Sequence, residues 1–240
     1  MIWLPPEPTW SWLSEAARMY ALMVGSELSF AQANYGDGEW GCILGRSGTN
    51  SQGETYNPRL RDALRRTLLQ PTGHWCGTNP GKRLKDEAEA WVKAHGVLVP
   101  WLFKETLAGA NVNGHLAPFL QAVRTRKTVL VGPAHLRDLP ENVIGRHHFI
   151  QVPDRTAWEV YEDTCAEVLS RVSHGCLVLF ASGMATNLSI HHLWPELKGQ
   201  ATLLDIGAVL DPYVGVLSRK GYRKESFQQT GMAANLREAA

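Results

Sequence analysis

From Trp12 to Val24, apolar residues recur three and four positions apart and Gly25 follows, which predicts a helix closed by a glycine. "LSFAQANY" (residues 28–35) reads as a strand. In "YNPRLRDALRRTLLQP" (56–71), Asn57 is a cap and Pro58 sits in the first turn, while Leu60, Ala63, Leu64 and Leu68 fall on one face. In "GKRLKDEAEAWVKAHG" (81–96), Leu84, Ala88, Trp91 and Val92 turn inward and Gly96 closes the helix. After Arg126 the texture changes. "TVLVG" (128–132), "HHFIQV" (147–152), "CLVLFAS" (176–182) and "ATLLDIG" (201–207) are short apolar runs, and "TAWEVYEDTCAEVLSRV" (156–172) and "MATNLSIHHLWPEL" (184–197) have helical spacing.

Strands alternating with helices predict an α/β fold: a Rossmann-like, mostly parallel sheet flanked by helices. Continuous apolar runs fit strands buried on both faces. One compact domain is expected over residues 1–240, with an acidic motif in 1–125 and a Rossmann-like half in 126–240. Ligands of such sheets bind at the carboxyl ends of strands, here "VGPAH", "ASGMATN" and "DIGAVLD".

A length of 240 residues with 44% apolar residues supports a sizeable core. The net charge of +1 excludes a global field directed at nucleic acid or membrane, though local basic runs remain. No apolar run approaches the ~18 residues of a membrane span. "MIWLPPEPTW" has neither the basic start nor the long apolar run of a signal peptide. Cys42, Cys76, Cys165 and Cys176 show no CxxC spacing, so free thiols in a reducing compartment are expected, and structural zinc is not. Nine tryptophans suit a core, and equally the stacking of sugars or bases.

The candidate chemistry begins at "NYGDGEWGCILG" (34–45). On extended backbone, Asp37 and Glu39 point the same way and can share one Mg²⁺ or Mn²⁺ carrying a diphosphate, with Gly36 and Gly38 allowing close approach. Asp-Gly is equally a hairpin turn. At Ser182–Asn187 a strand meets a helix: Gly183 would let phosphate approach the helical N–H groups, with Thr186 or Asn187 as an added donor. An ordinary βα turn fits the same letters. Asp205 and Gly207 suit a ribose or metal contact, or a helix cap; "LLDIG" is also similar to the LDxGxG motif of methyltransferases, without its second glycine. The pairs His147-His148 and His191-His192 cannot share a face. His135, just beyond the strand end at Gly132, is better placed. Lys82 and Arg83 follow a Pro-Gly turn and could meet phosphate.

Together these segments resemble the GT-D type glycosyltransferases, first described as a domain of unknown function in bacterial glycoprotein assembly. "YGDGE" resembles that family's "RFGDGE", "TVLVGPAHL" its "VLIVG" strand, "ASGMATNLSIHHL" its glycine turn, and "ATLLDIGAVLDPY" its "AIDIGHLDIEY". "GYRKES" resembles its C-terminal Tyr-x-x-Glu element, at Tyr222 and Glu225. The resemblance implies a metal-dependent transferase using a nucleotide sugar, most simply a UDP-sugar. Asp37 and Glu39 would engage the metal (Mn²⁺ or Mg²⁺), and Glu225 would be the general base. Tyr35, Gly36, Gly38, Lys82, Gly132, His135, Gly183, Thr186, Asn187, Asp205 and Gly207 would surround the donor. Asn34 and Tyr35 replace the family's Arg-Phe, so the phosphate charge falls to another cation, Lys82 or Arg59. The implied acceptor is a hydroxymethylated pyrimidine of bacteriophage DNA, with protein or glycan as the alternative, in bacterial or phage-infected cytoplasm. The rivals are an S-adenosylmethionine-dependent methyltransferase and a non-catalytic nucleotide- or nucleic-acid-binding module.

Overall fold

Alternation along the strands sets the layers. Val129, Val131, Cys176, Val178 and Phe180 are buried on one side of the sheet, and Leu130, Leu177 and Leu179 on the other. With both faces apolar, each needs a helical cover. The computed structural model, which describes residues 10–50, 53–104 and 106–237, has that arrangement. Its strands are β1 (Ala31–Tyr35), β2 (Trp75–Thr78), β3 (Trp101–Phe103), β4 (Thr128–Gly132), β5 (His147–Gln151), β6 (Cys176–Phe180) and β7 (Ala201–Asp205). They form one seven-stranded sheet in the order β3-β2-β1-β7-β6-β4-β5. Every neighbouring pair is parallel. The protein is thus a single-domain α/β fold of Rossmann-like type.

One face carries α2 (Asp37–Ile43), α3 (Pro58–Leu69), α4 (Gly81–Ala94), α8 (Tyr161–Arg171) and α9 (Ala185–Leu197). The other carries α1 (Trp10–Gly25), α5 (Thr106–Val112), α6 (Ala117–Arg124) and the short α7 (Glu141–Ile144), with α10 (Met232–Arg237) packed on α5 and α6. Local chemistry accounts for these helices. Asn57 Oδ1 accepts the Leu60 N–H at 2.9 Å and starts α3. Leu60, Leu64 and Leu68 are then fully buried, each stabilising the fold by about 1.5–3 kcal/mol. Trp40 sits in an aromatic cluster with Trp91 and the partly buried Trp101, so Trp40 and Trp91 are core residues.

Two features depart from expectation. Strands β2 and β3 extend the sheet on the N-terminal side, so the two halves of the chain share one sheet through the β1–β7 pairing. And the acidic motif is neither a hairpin turn nor extended backbone. Asp37 opens α2, with Gly36 as its N-cap and Glu39 in its first turn. The next strand, β2, is parallel to β1, so the chain must cross over rather than turn back.

The chain leaves β1 towards α2 on one face, while Ile206, Val209 and Leu210 after β7 pack on the other. Adjacent strands whose connections part in this way leave a crevice between their carboxyl ends.

Candidate active site

That crevice is built outward from Asn34. Its backbone N–H donates to Asp205 Oδ2 at 3.0 Å, and its side-chain amide donates to the Asp205 carbonyl at 2.9 Å. Asn34 Oδ1 in turn accepts from Gln32 Nε2 at 3.1 Å, and Gln32 accepts from the Tyr20 hydroxyl. The chain of bonds needs Gly77 on β2, because a Cβ there would stand 2.1 Å from Asn34 Oδ1. Asn34 thus fixes Asp205. The other Asp205 oxygen accepts the Gly207 N–H at 2.9 Å.

At the end of β1, Glu39 Oε2 reaches back to the Gly36 N–H at 2.6 Å, and Asp37 Oδ1 accepts the Gly38 N–H at 3.0 Å. Lys104, one residue past β3, lays its ammonium against Gly36 where a Cβ would stand. Asp37, Glu39, Asp205, Lys104 and Arg219 line one lobe of the cleft together with Gly38, Asn50, Gly183 and Gly207.

The carboxylates feel one another. Burial, then the charge of Glu39, pushes Asp205 up to about 7, against the pull of its two N–H donors and of Lys104. Burial and Glu39 likewise push Glu54 up to about 7. Glu54 is held by the loop before α3, where its N–H donates to Asn50 Oδ1 at 2.9 Å. Its carboxylate accepts the Met184 N–H at the start of α9.

A second lobe continues from the first across Gly183 and Gly207, which line both. Glu54, His135, Asp154, Asp211, Ser218 and Arg223 face it. His135 stands in a 3₁₀ turn after β4, and its Nε2 lies 3.1 Å from Asp211 Oδ1.

The cleft therefore assembles Asp37, Gly38, Glu39, Gly183, Asp205 and Gly207 in one lobe, with Gly36 beneath Lys104, and His135 in the other. Lys82 lies apart, in a groove on another side of Asp37 with Arg46 and Arg83. Tyr35 is fully buried, with its hydroxyl 2.7 Å from Thr67 Oγ1. Gly132 packs where a Cβ would meet Leu136 at 2.8 Å.

Thr186 and Asn187, expected to meet phosphate, are wholly buried. The Thr186 hydroxyl pairs with Ser182 Oγ at 2.9 Å, and Asn187 Nδ2 donates to the Asn34 carbonyl at 2.9 Å. The Met184 N–H is taken by Glu54, while Asn187 Oδ1 is buried without a hydrogen-bond partner. Glu225 is exposed on the surface, bonded to Gln229, and lines neither lobe. Arg59 lies over the Trp158 ring at 5.7 Å. The cations of the first lobe, Lys104 and Arg219, escaped sequence reading: one follows a three-residue strand, and the other sits in irregular chain. Among the described residues no tryptophan lines either lobe.

Among the described residues, no group of three or more His, Cys, Asp or Glu side chains is arranged to hold a metal. The donor set at Asp37 and Glu39 still fits a hard divalent ion of the kind that takes one or two carboxylates and completes its shell with water and phosphate oxygens. Each of the two has one oxygen committed to a backbone N–H and one beyond it. All four cysteines are buried and unpaired, and no described helix is long and apolar enough to cross a membrane. No protein-family profile matches the chain, and neither a curated protein nor a solved structure is significantly similar to it.

Proposed function

We propose that the protein is a glycosyltransferase that takes a sugar from a nucleotide-sugar donor, a UDP-sugar, and passes it to an acceptor hydroxyl. One observation carries the reading: Asp37, Glu39 and Asp205 converge with Lys104 and Arg219 in a single lobe at the carboxyl ends of β1 and β7. Carboxylates alone would repel a diphosphate. Carboxylates with two cations can hold a metal–diphosphate pair and neutralise the charge that grows as the nucleotide leaves. Asp37 and Glu39 would hold Mn²⁺ or Mg²⁺, which when bound supplies Lewis-acid stabilisation of the leaving diphosphate. Lys104 and Arg219 orient the phosphates, and Asp205, anchored by Asn34 and Gly207, presents fixed acceptor oxygens to the donor's hydroxyls. The first acceptor to try is hydroxymethylated pyrimidine in DNA, with peptide and glycan hydroxyls beside it.

Calorimetric titration with UDP and a set of UDP-sugars, in Mn²⁺ and in chelator, tests this. UDP binding is expected, and Lys104→Met should weaken it by about 10- to 100-fold, the worth of one charge-assisted hydrogen bond. Asp37→Asn should weaken it in Mn²⁺ and change little in chelator. Binding of S-adenosylmethionine with none of UDP would overturn the reading.

A further inference from the structure

We infer that the second lobe is the acceptor site, and that His135, oriented by Asp211, is the base that takes the proton of the acceptor hydroxyl; the inference rests on the nucleotide-sugar reading above. Asp211 is buried at 6% exposure, and both its oxygens are engaged: Oδ1 with His135 Nε2 at 3.1 Å, and Oδ2 with the Ser218 hydroxyl at 2.5 Å. Its backbone is held too, by its own N–H to Ala208 and by the Val216 N–H on its carbonyl. An ionised carboxylate only accepts, so the hydrogen of the neutral ring sits on Nε2 and the lone pair on Nδ1. Among the described residues no hydrogen bond engages Nδ1. The imidazole lines the lobe, so a base is presented to it with its tautomer already set.

Of the other carboxylates that could serve, Asp154 faces the same lobe but is exposed and, unlike His135, is fixed by no hydrogen bond among the described residues. Glu225 lies outside both lobes, Glu39 is turned back onto Gly36, and Glu54 holds the start of α9. Gly183 and Gly207, shared by the two lobes, have φ of +59° and +52°. Backbone without Cβ atoms lets a sugar lie across the join, its diphosphate beside Lys104 and Arg219 and its anomeric carbon towards His135. In the transfer, the acceptor oxygen forms the new bond to the anomeric carbon and its proton passes to His135 Nδ1. The carbon–oxygen bond to the phosphate breaks, and its electron pair leaves with the nucleoside diphosphate. Asp211 stabilises the imidazolium that results.

The test is made on the full chain with UDP, UDP-sugars and Mn²⁺. His135→Gln should bind UDP as tightly as wild type while its release of UDP from the donor, to water or to an added acceptor, falls about 100-fold or more. Asp211→Asn, which can donate to the ring and reverse its tautomer, should lose turnover to a similar degree with UDP binding retained. Wild-type turnover by His135→Gln overturns the proposal and leaves the nucleotide-sugar reading standing. Failure of the wild-type protein to bind UDP removes that reading and the proposal with it. Long-range ¹⁵N–¹H spectra, with His135→Gln to assign the signals, provide a readout that needs no turnover: the neutral ring should carry its proton on Nε2, and a proton on Nδ1 overturns the proposal.

Discussion

Glu54 shows how much one side chain can depend on its neighbours. It is nearly buried, it faces the charge of Glu39, and its carboxylate is lifted from an ordinary 4.5 to about 7. The folded state therefore holds a proton that the unfolded chain has already released. That contribution to stability is complete below about pH 4.5 and is lost as pH rises through about 7. Glu54→Gln removes the titration and keeps an acceptor for the Met184 N–H. Relative to wild type, its melting temperature should rise from pH 4 to pH 8 by about 10 °C, read by calorimetry across that range. A constant difference between the two proteins would show that Glu54 ionises as freely folded as unfolded. Asp205 has the same raised sense and adds to the same trend in the wild-type protein.

The elements explain why plausible ligand residues point elsewhere. The turn from β6 into α9 reads as a phosphate cradle, because Gly183 stands where a strand gives way to a helix. Once folded, Thr186 braces Ser182, Asn187 ties α9 to β1, and Glu54 takes the Met184 N–H. Thr186→Val should cost about 1–3 kcal/mol, since it leaves buried Ser182 groups without their partner. UDP affinity should be unchanged. Denaturant unfolding and a UDP titration on the same variant separate the two effects, and weakened UDP binding in a stably folded variant would return Thr186 to the ligand site. The helices α3, α4 and α8 were legible because a solvent-facing helix has a periodic apolar stripe. Strands β2 and β3 were not: "WCGT" and "WLF" are too short to show a period of two.

For the molecule as a whole, the order β3-β2-β1-β7-β6-β4-β5 places the last strand beside the first. The C-terminal half, though Rossmann-like in pattern, cannot cover β7 without β1. A fragment of residues 126–240 would expose the β7 edge and the apolar faces that α1, α3 and α6 bury. It should show no cooperative thermal transition by circular dichroism, whereas the full chain should melt in one step. A cooperative melt of the fragment would mean that the two halves fold as separate units. The same adjacency makes the cleft, since Asp37 and Glu39 come from the end of β1, and Asp205 and Gly207 from the end of β7.

Local pattern was enough for the fold class, for the longer helices α1, α3, α4, α8 and α9, for all the strands but β2 and β3, and for the strand-end positions of Asp37, Glu39, Gly183 and Asp205. Alternation, caps and glycine punctuation act over a few residues, and so they can be read from the chain in order. Which strand-end residues face the cleft is another matter, because it depends on neighbours far away in the chain, 76 positions for His135 and Asp211 and 171 for Asn34 and Asp205. Asn34 must meet Asp205, Lys104 must reach Gly36, and His135 must reach Asp211. No period in the chain encodes those meetings. They follow from β1 and β7 lying side by side, and from burial, which turns Thr186 and Asn187 inward to satisfy the backbone and leaves Lys104 and Arg219 to line the lobe.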